Sequence, residues 1–242
     1  MFVLCIRMEK REIIIAIDGH SSTGKSTFAK AVSKRYGLTY VDTGALYRGV
    51  TLAAIRAGVV AASQGSGGNK LDTILQGLSL EFRPTGIERA SELYLNGENI
   101  EHKIRSLEVA GHVSNIASRP AVRNYVDEML HQYGVKGGVV MDGRDIGTVV
   151  FPDADLKIFM TADPAIRAKR RYDELASKGE KADYGDVLKN VIDRDHMDET
   201  RKTAPLRRAT DAILLDNSYM TQEDQMKWIE KILEEKWGLA PI

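Results

Sequence analysis

Five consecutive apolar residues, Ile13-Ile14-Ile15-Ala16-Ile17, stand near the start of the chain with no polar position among them. A strand apolar on both faces belongs in the middle of a parallel sheet, so Ile13–Asp18 is expected as a central strand. Thr27–Tyr36 has helical spacing and runs into Gly37, the residue type that ends helices in the left-handed conformation. Leu38–Val41 predicts a short second strand. Ala45–Ala57 predicts a second helix stopped by Gly58. Strands alternating with helices predict a parallel α/β sheet.

The rhythm then breaks. Ser63-Gln64-Gly65-Ser66-Gly67-Gly68-Asn69 offers nothing to bury and is expected as a flexible loop. Leu78–Arg83 and Ser91–Leu95 read as strands. Asn96-Gly97 is a hairpin turn signal because both residues tolerate positive φ, and Glu98–Ile100 returns as a third short strand. Ser106 can cap a helix running through Ala117. A small α+β insertion is therefore expected over residues 60–118. The α/β pattern resumes with a helix opened by Pro120 and running through Tyr133. A buried strand, Gly138–Met141, ends at Asp142, and another covers Leu156–Met160. Asp163-Pro164 signals a capped helix to about Ser177. A charged helix spans Tyr184–Thr200 and Ala212–Leu215 is the last strand. Thr221 and Asp224 form a capping box for a final helix to Trp237. The expected organisation is a tail at 1–12, a core at 13–59, 119–163 and 203–242, the insertion at 60–118 and a helical region at 164–202.

Composition narrows the class. With 242 residues, 43% of them hydrophobic, the chain can bury one sizeable core or a core with a smaller inserted domain. Its net charge of zero argues against a general nucleic-acid or anionic-membrane binder. The single cysteine, Cys5, forms no internal disulfide and suits a reducing compartment. The apolar start Met1–Ile6 is too short to span a bilayer and lacks the basic leader of a signal peptide, so a cytoplasmic protein is expected. Met8, just before Glu9-Lys10-Arg11-Glu12, is a candidate native start.

The run behind the first strand carries the most chemistry. Gly19-His20-Ser21-Ser22-Thr23-Gly24-Lys25-Ser26 has the spacing G-x-x-x-x-G-K-S of a phosphate-binding loop, set between a strand and a helix as that loop requires. Its backbone N–H groups, with the N-terminus of the helix that includes Thr27, would cradle polyphosphate oxygens. Lys25 would reach the β/γ-phosphates, and the Ser26 hydroxyl would ligate Mg²⁺.

Three further clusters follow. Asp42-Thr43-Gly44-Ala45-Leu46-Tyr47-Arg48 falls on the ligand-bearing edge of such a sheet; by itself it reads as a capping Thr43 and a solvated Arg48. Asp142-Gly143-Arg144-Asp145-Ile146-Gly147-Thr148 puts an acid at the end of a buried strand, where it can hold Mg²⁺ or its waters, and an arginine able to pair with phosphate. Arg167, Arg170, Arg171, Arg194, Arg201, Arg207 and Arg208 alternate with carboxylates as a solvated helical face does. Some of this set is nevertheless expected on phosphates. Asn69-Lys70-Leu71-Asp72 spells a guanine-reading pattern, but no D-x-x-G switch precedes it, and its expected place in a loop of the insertion makes it a coincidence. The five histidines show no zinc-ligand spacing, and no Ser-His-Asp arrangement stands out.

The phosphate loop, Asp42–Arg48, the run Asp142–Ala154 and Ala204-Pro205-Leu206 stand in the order found in bacterial cytidylate kinases, and from about Glu12 to Trp237 the chain resembles that family. The resemblance implies a five-stranded P-loop sheet flanked by helices, an inserted monophosphate-binding domain and a helical lid at 164–202. It implies transfer of the ATP γ-phosphate to the small molecules CMP or dCMP with Mg²⁺. No feature of the sequence demands an oligomer, so a monomer is expected. Residues 19–27 with Arg170 and Arg171 would bind ATP, and Ser26 and Asp142 the metal. Thr43, Tyr47, Arg48, Ser114, Arg123, Arg144, Asp145, Asp198 and Arg201 would bind the monophosphate. Of these, Ser114, Arg123 and Asp145 would read the cytosine edge and Asp198 the sugar hydroxyls. Lys25, Arg144, Arg194 and Arg201 would neutralise the transferred charge. Two departures stand inside the phosphate loop: Ser26 where many members have Gly, and His20 where Pro is common. Another small-acceptor kinase, such as a uridylate–cytidylate or shikimate kinase, and a nucleotide-gated module without turnover are the competing readings.

Overall fold

A computed structural model describes residues 13–59, 68–85 and 91–242 of the chain. The tail at 1–12 with Cys5 and Met8, and loop residues 63–67, lie outside the described residues. The described residues fall into two units: the first joins the chain up to Val41 with Tyr133–Ile242, and the second is Asp42–Gln132. The second unit therefore takes in the helices on either side of the expected insertion at 60–118.

The first unit is built on a parallel sheet. Strands β1 (Ile14–Gly19), β2 (Thr39–Asp42), β6 (Val139–Gly143), β7 (Leu156–Thr161) and β8 (Ile213–Asp216) stand in the order β2-β6-β1-β7-β8. β1 pairs in parallel with β6 and β7, Ile17 opposite Asp142 and Ile158. This central place is why β1 is apolar on both faces: Ile15, Ala16 and Ile17 are fully buried. Helices α1 (Lys25–Tyr36) and α8 (Gln222–Trp237) complete one core, where Phe28, Val32 and Tyr36 meet Ile229 and Leu233. α8 starts with the expected capping box of Thr221 and Asp224. α6 (Pro164–Ser177) and α7 (Tyr184–Thr200) pack on each other through Ala168, Val187 and Val191.

The second unit holds α2 (Thr43–Arg56), α3 (Gly68–Gln76), a three-stranded antiparallel sheet of β3 (Leu80–Pro84), β4 (Ser91–Leu95) and β5 (Glu98–Asn99), then α4 (Leu107–Ala117) and α5 (Pro120–Val135), which runs past its end. Asn96 and Gly97 carry the expected positive φ, 48° and 84°, in the β4–β5 turn. α2 lies close against the sheet: a Cβ on Gly49 would stand 2.9 Å from Leu80 Cδ2 and 3.1 Å from Leu93 Cδ2. The segment expected as a loop is in part helix, since α3 begins at Gly68. Leu71 and Leu75 are buried at helical spacing and supply the apolar stripe that the glycines mask in the sequence. Asn69-Lys70-Leu71-Asp72 thus lies on a helix.

Candidate active site

The phosphate loop joins β1 to α1. Gly19 has φ 148°, and a Cβ there would fall 2.0 Å from the carbonyl oxygen of Met160 on β7, so no other residue fits. The loop delivers α1 with its N-terminus open. The preceding residue, Gly24, makes no side-chain cap, and the first turn holds no acid. Orphan N–H groups and an uncompensated positive dipole end are what an anion requires. Ser21 Oγ is buried with no hydrogen-bond partner among the described residues, and a phosphate oxygen would satisfy it.

Lys25 is buried, and its Nζ donates to the His20 carbonyl at 2.5 Å and reaches Thr23 Oγ1 at 3.5 Å. Burial and then Arg144 push its pKa well down, against the pull of Asp142, Asp18 and Asp198. A phosphate would oppose that depression and favour the ammonium form.

Asp142, on β6, accepts from Ser26 Oγ at 2.8 Å and from Tyr40 OH at 2.7 Å. Among the described residues no three His, Cys, Asp or Glu side chains gather as a self-sufficient metal site. One carboxylate beside one hydroxyl at a phosphate loop nonetheless fits Mg²⁺, which takes few protein ligands and completes its shell with phosphate and water. Tyr40 is not among the residues the sequence singles out; its position two residues before the end of β2 is the available signal.

Asp18, also outside the expected set, is the next-to-last residue of β1, beside the loop. Its two oxygens accept the N–H groups of Ile146 at 2.8 Å and Gly147 at 2.7 Å. These begin a single wide helical turn, Ile146–Val150, in which the Phe151 N–H reaches back to Ile146 O. Burial pushes the Asp18 carboxyl up to about 6, against those two hydrogen bonds.

Arg144 and Asp145, at the start of this turn, meet α7. Arg144 Nε donates to Asp198 Oδ2 at 2.6 Å, and Arg201 Nη2 to Asp145 Oδ1 at 3.1 Å. Burial alone would raise the Asp198 carboxyl; Arg144, with Arg201 and Arg194, outweighs it and holds the group below its ordinary value. The first unit thus gathers Lys25, Arg144, Arg194, Arg201, Asp145 and Asp198 into one network of alternating charge.

The arginine-rich set divides. Arg167 is buried and fully engaged: it donates to Ala162 O, to Ser21 O and to both oxygens of Asp195. It ties α6, α7 and the loop together. Arg208 donates to the Ala212 carbonyl. Arg170 bonds the Asn217 carbonyl at 2.7 Å and its Oδ1 at 3.1 Å, and burial lowers its pKa. Arg171 pairs with Glu174 near the surface. Arg170 and Arg171 both line a cavity of about 410 Å³ beside the loop, walled by Phe28, Ala31, Met220 and Met226. Asn217 is a further site residue that the sequence reading misses. It is buried at the end of β8 and donates to the Thr23 carbonyl at 2.8 Å, fixing loop and cavity wall together. Its place just past the last strand, on the ligand edge, is the signal that could have found it.

In the second unit Thr43 is not the cap of α2. Asp42 is, accepting from the Ala45 N–H at 2.9 Å, while Thr43 is buried. Arg105, another residue without a sequence signal, pairs with Asp42 at 2.9 Å. Arg48 reaches the Ile104 carbonyl at 3.4 Å and is half-buried rather than solvated. The buried Arg123 of α5 lies over the Tyr47 ring, 5.7 Å from its centroid. Ser114 is exposed on α4.

A parallel sheet, a phosphate loop, a strand-end aspartate bonded to the loop serine and a basic network define a P-loop phosphotransferase. The cytidylate kinase family model matches residues 15–235, and the chain belongs to that family. A cytidylate kinase of Parabacteroides distasonis is 49% identical over 90% of this chain and 95% of its own length. One of Porphyromonas gingivalis is 48% identical over 93% and 98%. Among solved structures, shikimate kinase from Bacteroides thetaiotaomicron superposes with a TM-score of 0.48 at 12% identity, over 92% of this chain and 98% of that one.

Proposed function

We propose that this chain transfers the γ-phosphate of ATP to CMP or dCMP, giving ADP and CDP or dCDP. The observation that carries the phosphoryl-transfer reading is the uncapped start of α1, with Lys25 inside the loop and Ser26 bonded to Asp142. Family membership supports cytidine monophosphate as the acceptor.

Residues Gly19–Thr27 hold the triphosphate, and the cavity beside Arg170 and Arg171, with Phe28, Met220 and Met226 in its wall, takes the adenine. Ser26 and Asp142 would hold Mg²⁺, which would supply positive charge against the phosphates. In the first unit, Arg144 and Arg201 neutralise the acceptor phosphate, with Lys25 and Arg194 assisting. Asp198 takes the sugar hydroxyls and Asp145 accepts from the exocyclic amine of cytosine. In the second unit, Arg48 binds the acceptor phosphate, Tyr47 forms a wall beside the base, and Thr43, Ser114 and Arg123 bind on the substrate side. Uracil carries a carbonyl in place of that amine, and a site built to hydrogen-bond a donor rejects the analogue without it. The protein has little covalent chemistry to perform; alignment and charge neutralisation supply the rate.

Among the described residues no helix is long and apolar enough to cross a membrane. The single cysteine suits a reducing compartment, and we propose a cytoplasmic protein acting on small molecules as a monomer. The test is ADP formation from ATP with CMP, dCMP, UMP and shikimate as separate acceptors. CMP and dCMP are expected to be the best. A preference for either other acceptor would reassign the substrate.

A further inference from the structure

The side chain of His20, inside the phosphate loop, has a structural partner that loop function does not require. Its Nε2 lies 2.8 Å from Glu199 Oε1, near the C-terminal end of α7. The ring is held edge-on against Phe159 of β7, centroids 5.7 Å apart at 87°. Nδ1 is buried with no hydrogen-bond partner among the described residues. The tautomer that makes the observed bond carries its proton on Nε2 and donates it to the carboxylate. One residue thus faces two ways. Its carbonyl accepts Lys25 Nζ at 2.5 Å and Thr23 Oγ1 at 3.0 Å. Its ring holds Glu199, which follows Asp198 directly and stands two residues before Arg201.

We propose that His20 and Glu199 are a positioning pair that ties the phosphate loop to the end of α7 and so sets Asp198 and Arg201 relative to Lys25. His20 belongs to the triphosphate cradle through its backbone; the two side chains act through those three residues. The Glu199 side chain is half exposed, and its His20 partner 16% exposed. A pair this open adds little to global stability. Its effect lies in geometry, to which phosphoryl transfer is sensitive, because a small misplacement of a charged ligand is felt chiefly in turnover.

The proposal deepens the kinase reading, so its test has an arm that needs no turnover. His20→Ala, Glu199→Ala, the double variant and His20→Gln are compared. In each alanine variant kcat is expected to fall about tenfold, with KM for CMP raised and KM for ATP within about twofold. The double variant should be no worse than either single one. His20→Gln, which keeps an N–H donor of similar reach, should recover most of the loss. In the unliganded protein, amide hydrogen exchange at residues 197–201 should speed up in either alanine variant while the melting temperature stays near wild type. If His20→Ala does not fold, Glu199→Ala reads the same bond from its other end. Single effects that multiply fully in the double variant, a loss confined to KM for ATP, or exchange at 197–201 unchanged would overturn the proposal. Altered exchange in a protein inert toward CMP would leave the pair standing and dismiss the substrate assignment.

Discussion

Ser26 Oγ donates to Asp142 Oδ2 across 2.8 Å, so the last residue of the phosphate-loop motif is bonded to the acid at the end of the neighbouring strand. The bond arises from register: β6 lies directly beside β1, with Ile17 opposite Asp142, and α1 starts where that carboxylate emerges. If the pair shares a magnesium ion, Asp142→Asn should raise the Mg²⁺ concentration for half-maximal rate and lower kcat about 10²-fold. Ser26→Ala should raise the Mg²⁺ requirement with a smaller loss. Initial rates over a magnesium titration check both; an unchanged titration curve would remove the pair from the metal site.

Arg144 and Asp198 form a half-buried ion pair at 2.6 Å, their side chains 22% and 20% exposed. Asp198→Asn should raise KM for CMP several-fold. Arg144→Ala should lower kcat by about 10²–10³-fold, and Arg144→Lys should recover little of it, since an ammonium cannot reproduce a planar fork. Steady-state kinetics in both substrates separates the two effects.

Asp18 gives a pH dependence whose sign can be worked out. Its carboxyl is raised from 3.8 to about 6 in the folded protein, so the native state holds its proton more tightly than the unfolded chain. The stabilisation from this group is fully present below pH 3.8 and is lost as pH rises through about 6. The difference amounts to about 3 kcal/mol. Denaturant unfolding at pH 4 and pH 7 should give a smaller fall in stability across that window for Asp18→Asn than for wild type. The same fall in both would show that another group is responsible.

Arg167 separates structure from catalysis within the arginine-rich segment. Its side chain is 3% exposed, and both Nη atoms donate to Asp195, one to each carboxylate oxygen. Removing Arg167 leaves the Asp195 carboxylate, 14% exposed, without its partner and the Ala162 and Ser21 carbonyls without their donor, at a cost of up to about 3–5 kcal/mol. Arg167→Ala should lower the melting temperature by roughly 5–15 °C, with ATP affinity affected only as far as folding is. An unchanged melting temperature with weakened ATP binding would instead make Arg167 a phosphate ligand.

The sheet and the phosphate loop are legible in the sequence for reasons that are local. The apolar run at 13–17 locates the central strand because burial on both faces leaves no polar position. The G-x-x-x-x-G-K-S spacing locates the loop because only glycine survives at Gly19, against the Met160 carbonyl. The acid ending Val139-Val140-Met141 is readable for the same reason as the first strand. What escapes are partnerships between residues distant in sequence. Asp18 bonds a turn 128 and 129 positions away, and Asn217 bonds Thr23 across 194. Neither pairing leaves a local pattern. Thr43 looks like a cap by residue type, but Asp42, one residue earlier and longer in reach, wins the Ala45 N–H. Helix α3 is hidden because glycines at its start outweigh the Leu71 and Leu75 stripe. The arginines at 167 and 170 look alike in sequence; only burial and partners tell them apart.

The most direct test follows the phosphoryl group itself. ATP labelled at the γ-position is incubated with CMP, Mg²⁺ and the protein, and the products are separated. The label is expected in CDP for the wild-type chain and to stay in ATP with folded Lys25→Ala. Label released only as inorganic phosphate, or CDP still labelled at the wild-type rate by Lys25→Ala, would contradict the account.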